Sequence, residues 1–204
     1  MGGTFTKGLQ ALSKKIQDDS SRDPLDDPPV PAPPDPRLPL TAKQVFNISK
    51  SWKGIARAME TTGITMFVKL FEENEDLITL FKKFQYLQTQ ESRMESLELA
   101  QHASIVMTTL DEGIRSLDKV DYLIDYLHSV GKFHTKIAGF RKENFWRIEK
   151  PFLAAVKETL GDRYTENMEN IYKITIRFIL ETLSKGFDLA DEEKKENEVL
   201  TNNI

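Results

Sequence analysis

YLHSVGKFHTK, residues 126–136, decides how this chain is read. Leu123, Leu127, Val130 and His134 are spaced 4, 3 and 4, which places all four on one face of a helix. An apolar face that belongs in a core therefore ends on an ionisable imidazole. A second helix repeats the pattern: Leu99, His102, Val106 and Leu110 form another apolar stripe interrupted by a histidine. The chain has only three histidines. The third, His128, is turned off the His134 face and is expected in solvent.

Around these two stripes the periodicity is helical throughout, with no alternating strand pattern and no hairpin signal. Thr41, with Gln44 three positions on, forms a capping box that opens a helix through Val45, Ile48, Trp52, Ile55 and Met59. Gly63 is read as opening the next helix, with Ile64, Phe67, Val68 and Phe71 facing inward. DLITLF, ending at Phe81, is a short helix followed by a loop. Longer helices are predicted over about 94–116, 119–137, 141–160 and 164–187. Pro151 is expected to kink the third of these. The result is an all-α fold of seven or eight unequal helices, without the heptads of a coiled coil.

Composition sets the limits of that domain. The chain has 204 residues, 39% apolar and 29% charged, which is enough for one sizeable core with extensions. A net charge of −4 argues against a nucleic-acid partner. The absence of cysteine excludes disulfides, thiolate metal sites and cysteine nucleophiles. No apolar run reaches the roughly 18 residues of a membrane helix. Eight of the nine prolines lie between Pro24 and Pro39, so residues 18–40 read as an extended linker. It separates an N-terminal segment, 1–17, from the folded unit, 41–189. The polar stretch 190–204 is expected to fray.

A histidine on an apolar face is ordinarily a core residue hydrogen-bonded to a carbonyl. Two on separate helices, out of three in all, shift the balance towards a ligand and leave the core reading open beside it. Zinc wants four N/S donors in a structural site, and neither helix supplies H-E-x-x-H or a carboxylate at ligand spacing. A planar, metal-bearing cofactor between the helices needs at most two axial ligands and otherwise wants apolar walls.

The ordered residues that carry these features resemble a known family. KSWKGI, with Trp52, is followed 11 residues later by Gly63. GITMFVKLFEENEDLITLF carries Phe67 and ends on Phe81, with Phe84 just beyond. HASIVM carries His102, 21 residues after Phe81. LHSVGKFHTKIAGF carries His134, 32 residues after His102. From Thr41 to about Leu189 this set resembles the globins, most closely their neuroglobin and globin X branch. The resemblance implies a globin fold around haem b (iron protoporphyrin IX), with His134 as proximal and His102 as distal iron ligand.

It also implies haem contacts from Phe67, Phe81, Phe84, Val106, Val130, Phe140 and Lys83. Phe67 and Val106 either set a dry distal volume or simply pack the core. Lys82 and Lys83 either face a propionate or form a solvated charge pair. Glu75, Ile105 and Phe133 stand where the family usually carries a proline, a basic residue and a hydroxyl or basic residue. With no hydroxyl at 133, the backbone carbonyl of Val130 is the expected acceptor for the second nitrogen of His134.

The implied function is reversible binding of a diatomic gas (O2, NO or CO) at iron that is bis-histidyl at rest. An oxygen-binding, sensing or redox role follows, with an unknown reductase or electron partner. Nitrite reduction, nitric oxide dioxygenation or peroxidase activity at the same iron is the enzymatic alternative, and a haem-free helical module the other. MGGTFT fits N-myristoylation at Gly2. Phe5, Leu9, Leu12 and Ile16, interspersed with lysines, continue it as an amphipathic basic helix. Together they either anchor a cytoplasmic protein to the inner face of the plasma membrane or form a disordered tail.

Overall fold

The computed structural model describes residues 35–81 and 89–202, with side chains through Lys194. The expectations for Gly2, segment 1–17, most of the linker, Lys82, Lys83 and Phe84 lie outside the described residues. Within them every regular element is helical. The α-helices are α1 (Ala42–Arg57), α2 (Met59–Glu73), α3 (Gln90–Met94), α4 (Leu97–Arg115), α5 (Val120–His134), α6 (Glu149–Leu160) and α7 (Glu166–Asn202). Short 3-10 helices occupy Glu75–Leu80, Lys142–Ile148 and Gly161–Arg163.

The N-terminal caps follow side-chain chemistry. The Thr41 side chain accepts from the Gln44 backbone N–H, while the Gln44 side chain accepts from the Thr41 N–H. Two donors that the helix leaves unpaired are thus satisfied reciprocally. Ser96 caps α4 through the Leu99 N–H. Thr89 and Ser92 form the same kind of box at α3, a five-residue helix inside the stretch read as a loop.

The core is shared by all the long helices. Ile48, Trp52 and Ile55 of α1 meet Phe67 and Phe71 of α2, Leu99 and Met107 of α4, Phe152 and Val156 of α6, and Ile171, Tyr172 and Ile176 of α7. α5 packs most extensively on α7, and α2 packs on both α4 and α6.

Three local expectations are corrected. Gly63 does not open α2, which begins at Met59. It lies inside that helix, where a Cβ would come within 2.7 Å of Met107 Cγ and 3.2 Å of Ala103 Cβ. The glycine is there because α2 and α4 cross at that point. Pro151 does not kink a long helix. The segment 142–160 is a 3-10 helix followed by α6, and Pro151 is the third residue of α6, in the first turn. Amides there have no intrahelical acceptor, so a missing N–H costs nothing.

The third correction concerns the C-terminus. α7 continues as helix to Asn202, past the predicted helix end at 187. Its extension is tied back to the last turn of α5 and the chain that follows it. Lys142 Nζ donates to Asp188 at 2.9 and 3.0 Å, Lys132 pairs with Glu193, and Lys194 Nζ donates to the Thr135 carbonyl at 3.2 Å. A cation at that carbonyl also suits the negative end of the α5 dipole.

Candidate functional site

His134 is the last residue of α5, and its ring packs against two phenylalanines. The Phe140 centroid lies 4.8 Å away and the Phe145 centroid 4.9 Å away. Nδ1 sits 2.8 Å from the Val130 carbonyl oxygen, the acceptor anticipated one helical turn back. A carbonyl only accepts, so Nδ1 carries the proton and Nε2 keeps its lone pair. His102 projects from α4 into a second aromatic corner. Its ring lies 5.1 Å from Phe67 and 5.0 Å from Phe81, edge-on to both.

Burial keeps both imidazoles neutral. His102 is held down to about 4, first by desolvation and then by the charge His134 would carry. Desolvation also lowers His134, opposed by its bond to Val130. Two neighbouring groups that resist protonation while retaining lone pairs are suited to ligation, because a metal and a proton compete for the same nitrogen.

Both rings line one cavity of about 510 Å³. Phe67, Phe81, Val106, Val130 and Phe140, all anticipated as contacts, line it too. So do residues not anticipated there: Leu77, Leu80, Phe145, Ile148, Phe152, Ile176 and Ile179. Phe145 and Phe152 were legible as an apolar stripe. Periodicity separates an inner face from an outer one, and no pattern distinguishes an inner residue that meets a cavity from one that meets another helix. Arg147 donates to both carboxylate oxygens of Asp76, at 2.7 and 2.6 Å. That pair joins the two 3-10 helices that supply Leu77, Leu80, Phe145 and Ile148. The cavity's lining also includes Ile105 and Phe133, which are 66% and 59% exposed and so mark its rim.

His128 is corrected as well. It is half-buried where α7 crosses α5, and its Nε2 is buried with no hydrogen-bond partner among the described residues. The crossing is tight enough that a Cβ on Gly186 would lie 2.5 Å from His128 Cα. Among the described residues there is no group of three or more His, Cys, Asp or Glu able to hold a metal ion. Nor is any helix among them long and apolar enough to cross a membrane.

A globin family profile matches residues 64–183. The chain belongs to the globin family, and within it to the neuroglobin-like branch. It is 25% identical over 155 residues to neuroglobin of Dissostichus mawsoni, spanning 76% of this chain and 97% of that one. Neuroglobin-1 of Oncorhynchus mykiss is 26% identical over the same shares. A crystal structure of a hexacoordinated heme protein from an anhydrobiotic tardigrade at pH 4 is 40% identical. It aligns with a TM-score of 0.73 over 76% of this chain and 99% of that chain.

Proposed function

We propose that the chain binds haem b between α4 and α5, with His134 as the permanent proximal ligand and His102 as a distal ligand. His102 holds the iron six-coordinate at rest and yields to O2, NO or CO. The observation that carries this reading is the pair of neutral imidazoles lining one apolar cavity from two different helices. A volume of about 510 Å³ falls within the range of cofactor pockets, about 300–1,000 Å³. The likeness to a hexacoordinated heme protein supports the six-coordinate form.

When bound, haem supplies an iron centre that takes up a gas ligand or changes oxidation state by one electron. The rest is done by this chain. The Val130 carbonyl fixes the His134 tautomer and ring plane. Phe140 and Phe145 pack together against that ring, and Phe67 and Phe81 confine His102. If the internal His102 bond is favoured by about 1.4–2.8 kcal/mol, external ligands bind roughly 10- to 100-fold more weakly. That attenuation suits sensing or electron transfer with a reductase partner. Attachment to a membrane through acylated Gly2 rests on the MGGTFT pattern alone.

The absorption spectrum of the ferrous protein tests the reading. Sharp, split visible bands without added ligand are expected, and His102→Leu should turn them into one broad band. A chain that takes up no haem refutes the proposal. A spectrum unmoved by His102→Leu refutes the distal assignment.

A further inference from the structure

α1 carries a face that the core does not use. Ile48, Trp52 and Ile55 are buried, while Lys43, Phe46, Lys50, Lys53 and Arg57 are exposed on the opposite side. Their spacing of 3, 4, 3 and 4 keeps them, at about 100° per residue, within an arc of about 80°. The stripe runs about 21 Å along the helix. α1 contains these four cations and no acidic residue, in a chain whose net charge is −4. Arg163, also exposed, adds a fifth cation alongside, since its Nη1 would lie 3.3 Å from a Cβ on Gly54.

Elsewhere exposed cations are paired: Lys69 with Glu158, Arg115 with Asp111, Arg147 with Asp76, Lys142 with Asp188 and Arg177 with Glu149. None of the four cations of α1 has a side-chain ion pair or hydrogen bond among the described residues. Asp111, which α1 does reach through Trp52, is taken by Arg115. Glu60 and Asp162, just outside the stripe, form no ion pair with it. A solvated charged face is the ordinary condition of a surface helix, but such faces mix both signs. Here Lys50, Lys53 and Arg57 repel one another at spacings of 3 and 4. Among them Phe46 stands 66% exposed, where it contributes nothing to the core.

We infer that the outer face of α1 docks on an anionic lipid surface, with Lys43, Lys50, Lys53, Arg57 and Arg163 at the headgroups and the Phe46 ring inserted between them. A lipid surface answers both features at once. Its mobile headgroups meet cations at any spacing, and the acyl boundary beneath them takes up an aromatic ring. A protein partner would need acidic groups at matching positions and an apolar pocket in their midst. The surface is independent of the haem site. It also provides what acylation of Gly2 would lack, because one acyl chain binds membranes only marginally and needs a second signal such as a basic patch.

The test sediments the full chain with phosphatidylcholine vesicles that contain or lack phosphatidylserine. Partition is expected into the anionic vesicles and should fall as salt is added. Each cation near an anionic leaflet strengthens binding roughly fivefold, so Lys50→Gln/Lys53→Gln should weaken partition roughly 25-fold. Lys136→Gln/Lys185→Gln, which removes the same charge from exposed positions after α5 and on α7, should stay within about twofold of wild type. Because the chain has no cysteine, a polarity-sensitive dye can be carried by Phe46→Cys alone. Its emission should shift to the blue on anionic vesicles and be quenched by brominated acyl chains, while the same dye on Lys185→Cys should not respond. A chain that sediments with its dye at position 46 unchanged is held by another segment, and that overturns the assignment to α1. So does partition unmoved by Lys50→Gln/Lys53→Gln. Partition no stronger with phosphatidylserine than without it overturns the lipid assignment, and lysine-dependent retention on immobilised poly-glutamate would then give the face to an acidic protein.

Discussion

Gly131→Ala is the substitution that most directly probes how His134 is held. Two physical effects of opposite sign meet at that position. In a helix interior alanine is favoured over glycine by about 1 kcal/mol, so an unobstructed site would gain stability. At Gly131, however, a Cβ would fall far inside van der Waals contact with the Leu183 carbonyl oxygen, and 3.0 Å from Leu183 C and Phe187 N. These are backbone atoms of α7, and no rotamer change removes them. The helices must separate, and such overpacking typically costs about 1–3 kcal/mol. With backbone against backbone, the upper end applies. The net loss is then about 2 kcal/mol, or roughly 4–8 °C in Tm for a domain of this size.

The matched control is Gly113→Ala. There the nearest atoms are Leu123 Cδ1 at 3.7 Å and Ile179 Cδ1 at 3.8 Å, ordinary contact distances. That variant should gain up to about 1 kcal/mol. Thermal and urea unfolding of the two variants beside wild type provides the assay. Because Gly131 lies three residues before His134, Gly131→Ala should also release haem faster. If Gly131→Ala proves as stable as wild type, the α5–α7 crossing is not as close as described, and the account of how His134 is positioned is refuted.

Two further outcomes follow from the site and the fold. The folded-state pKa of His102 is depressed to about 4 from 6.5, so its contribution to stability is complete above pH 6.5 and is lost as pH falls towards 4. His134 shifts in the same direction. Urea unfolding at successive pH values should show a decline of up to about 3 kcal/mol across that window for His102 alone. In the haem-free chain His102→Leu should lessen that decline, leaving the part due to His134, and an unchanged slope would contradict the burial of that imidazole. Pro151→Ala should change stability by less than about 0.5 kcal/mol, because the residue occupies the first turn of α6. A loss of several kcal/mol would mean the proline sits in a helix interior after all.

Much of this protein is legible in one dimension because helices are local. Their hydrogen bonds close within four residues, so the capping box at Thr41, the stripes through His102 and His134 and the tautomer-fixing carbonyl of Val130 all follow from short spacings. The ordered set Trp52, Gly63, Phe67, Phe81, His102 and His134 was also enough to suggest the globin family, which the family match over residues 64–183 shows.

What it could not supply depends on contacts between residues far apart in the chain. Gly63 and Gly131 look like weak points of their helices until α4 and α7 are seen crossing them. His128 looks solvated until Gly186 arrives against it. The reach of α7 past 187 is hidden until Lys132, Thr135 and Lys142 are seen binding it. The cavity itself is the largest such case. It is the space that the helices enclose only when packed together, and no residue pattern along the chain encodes a volume.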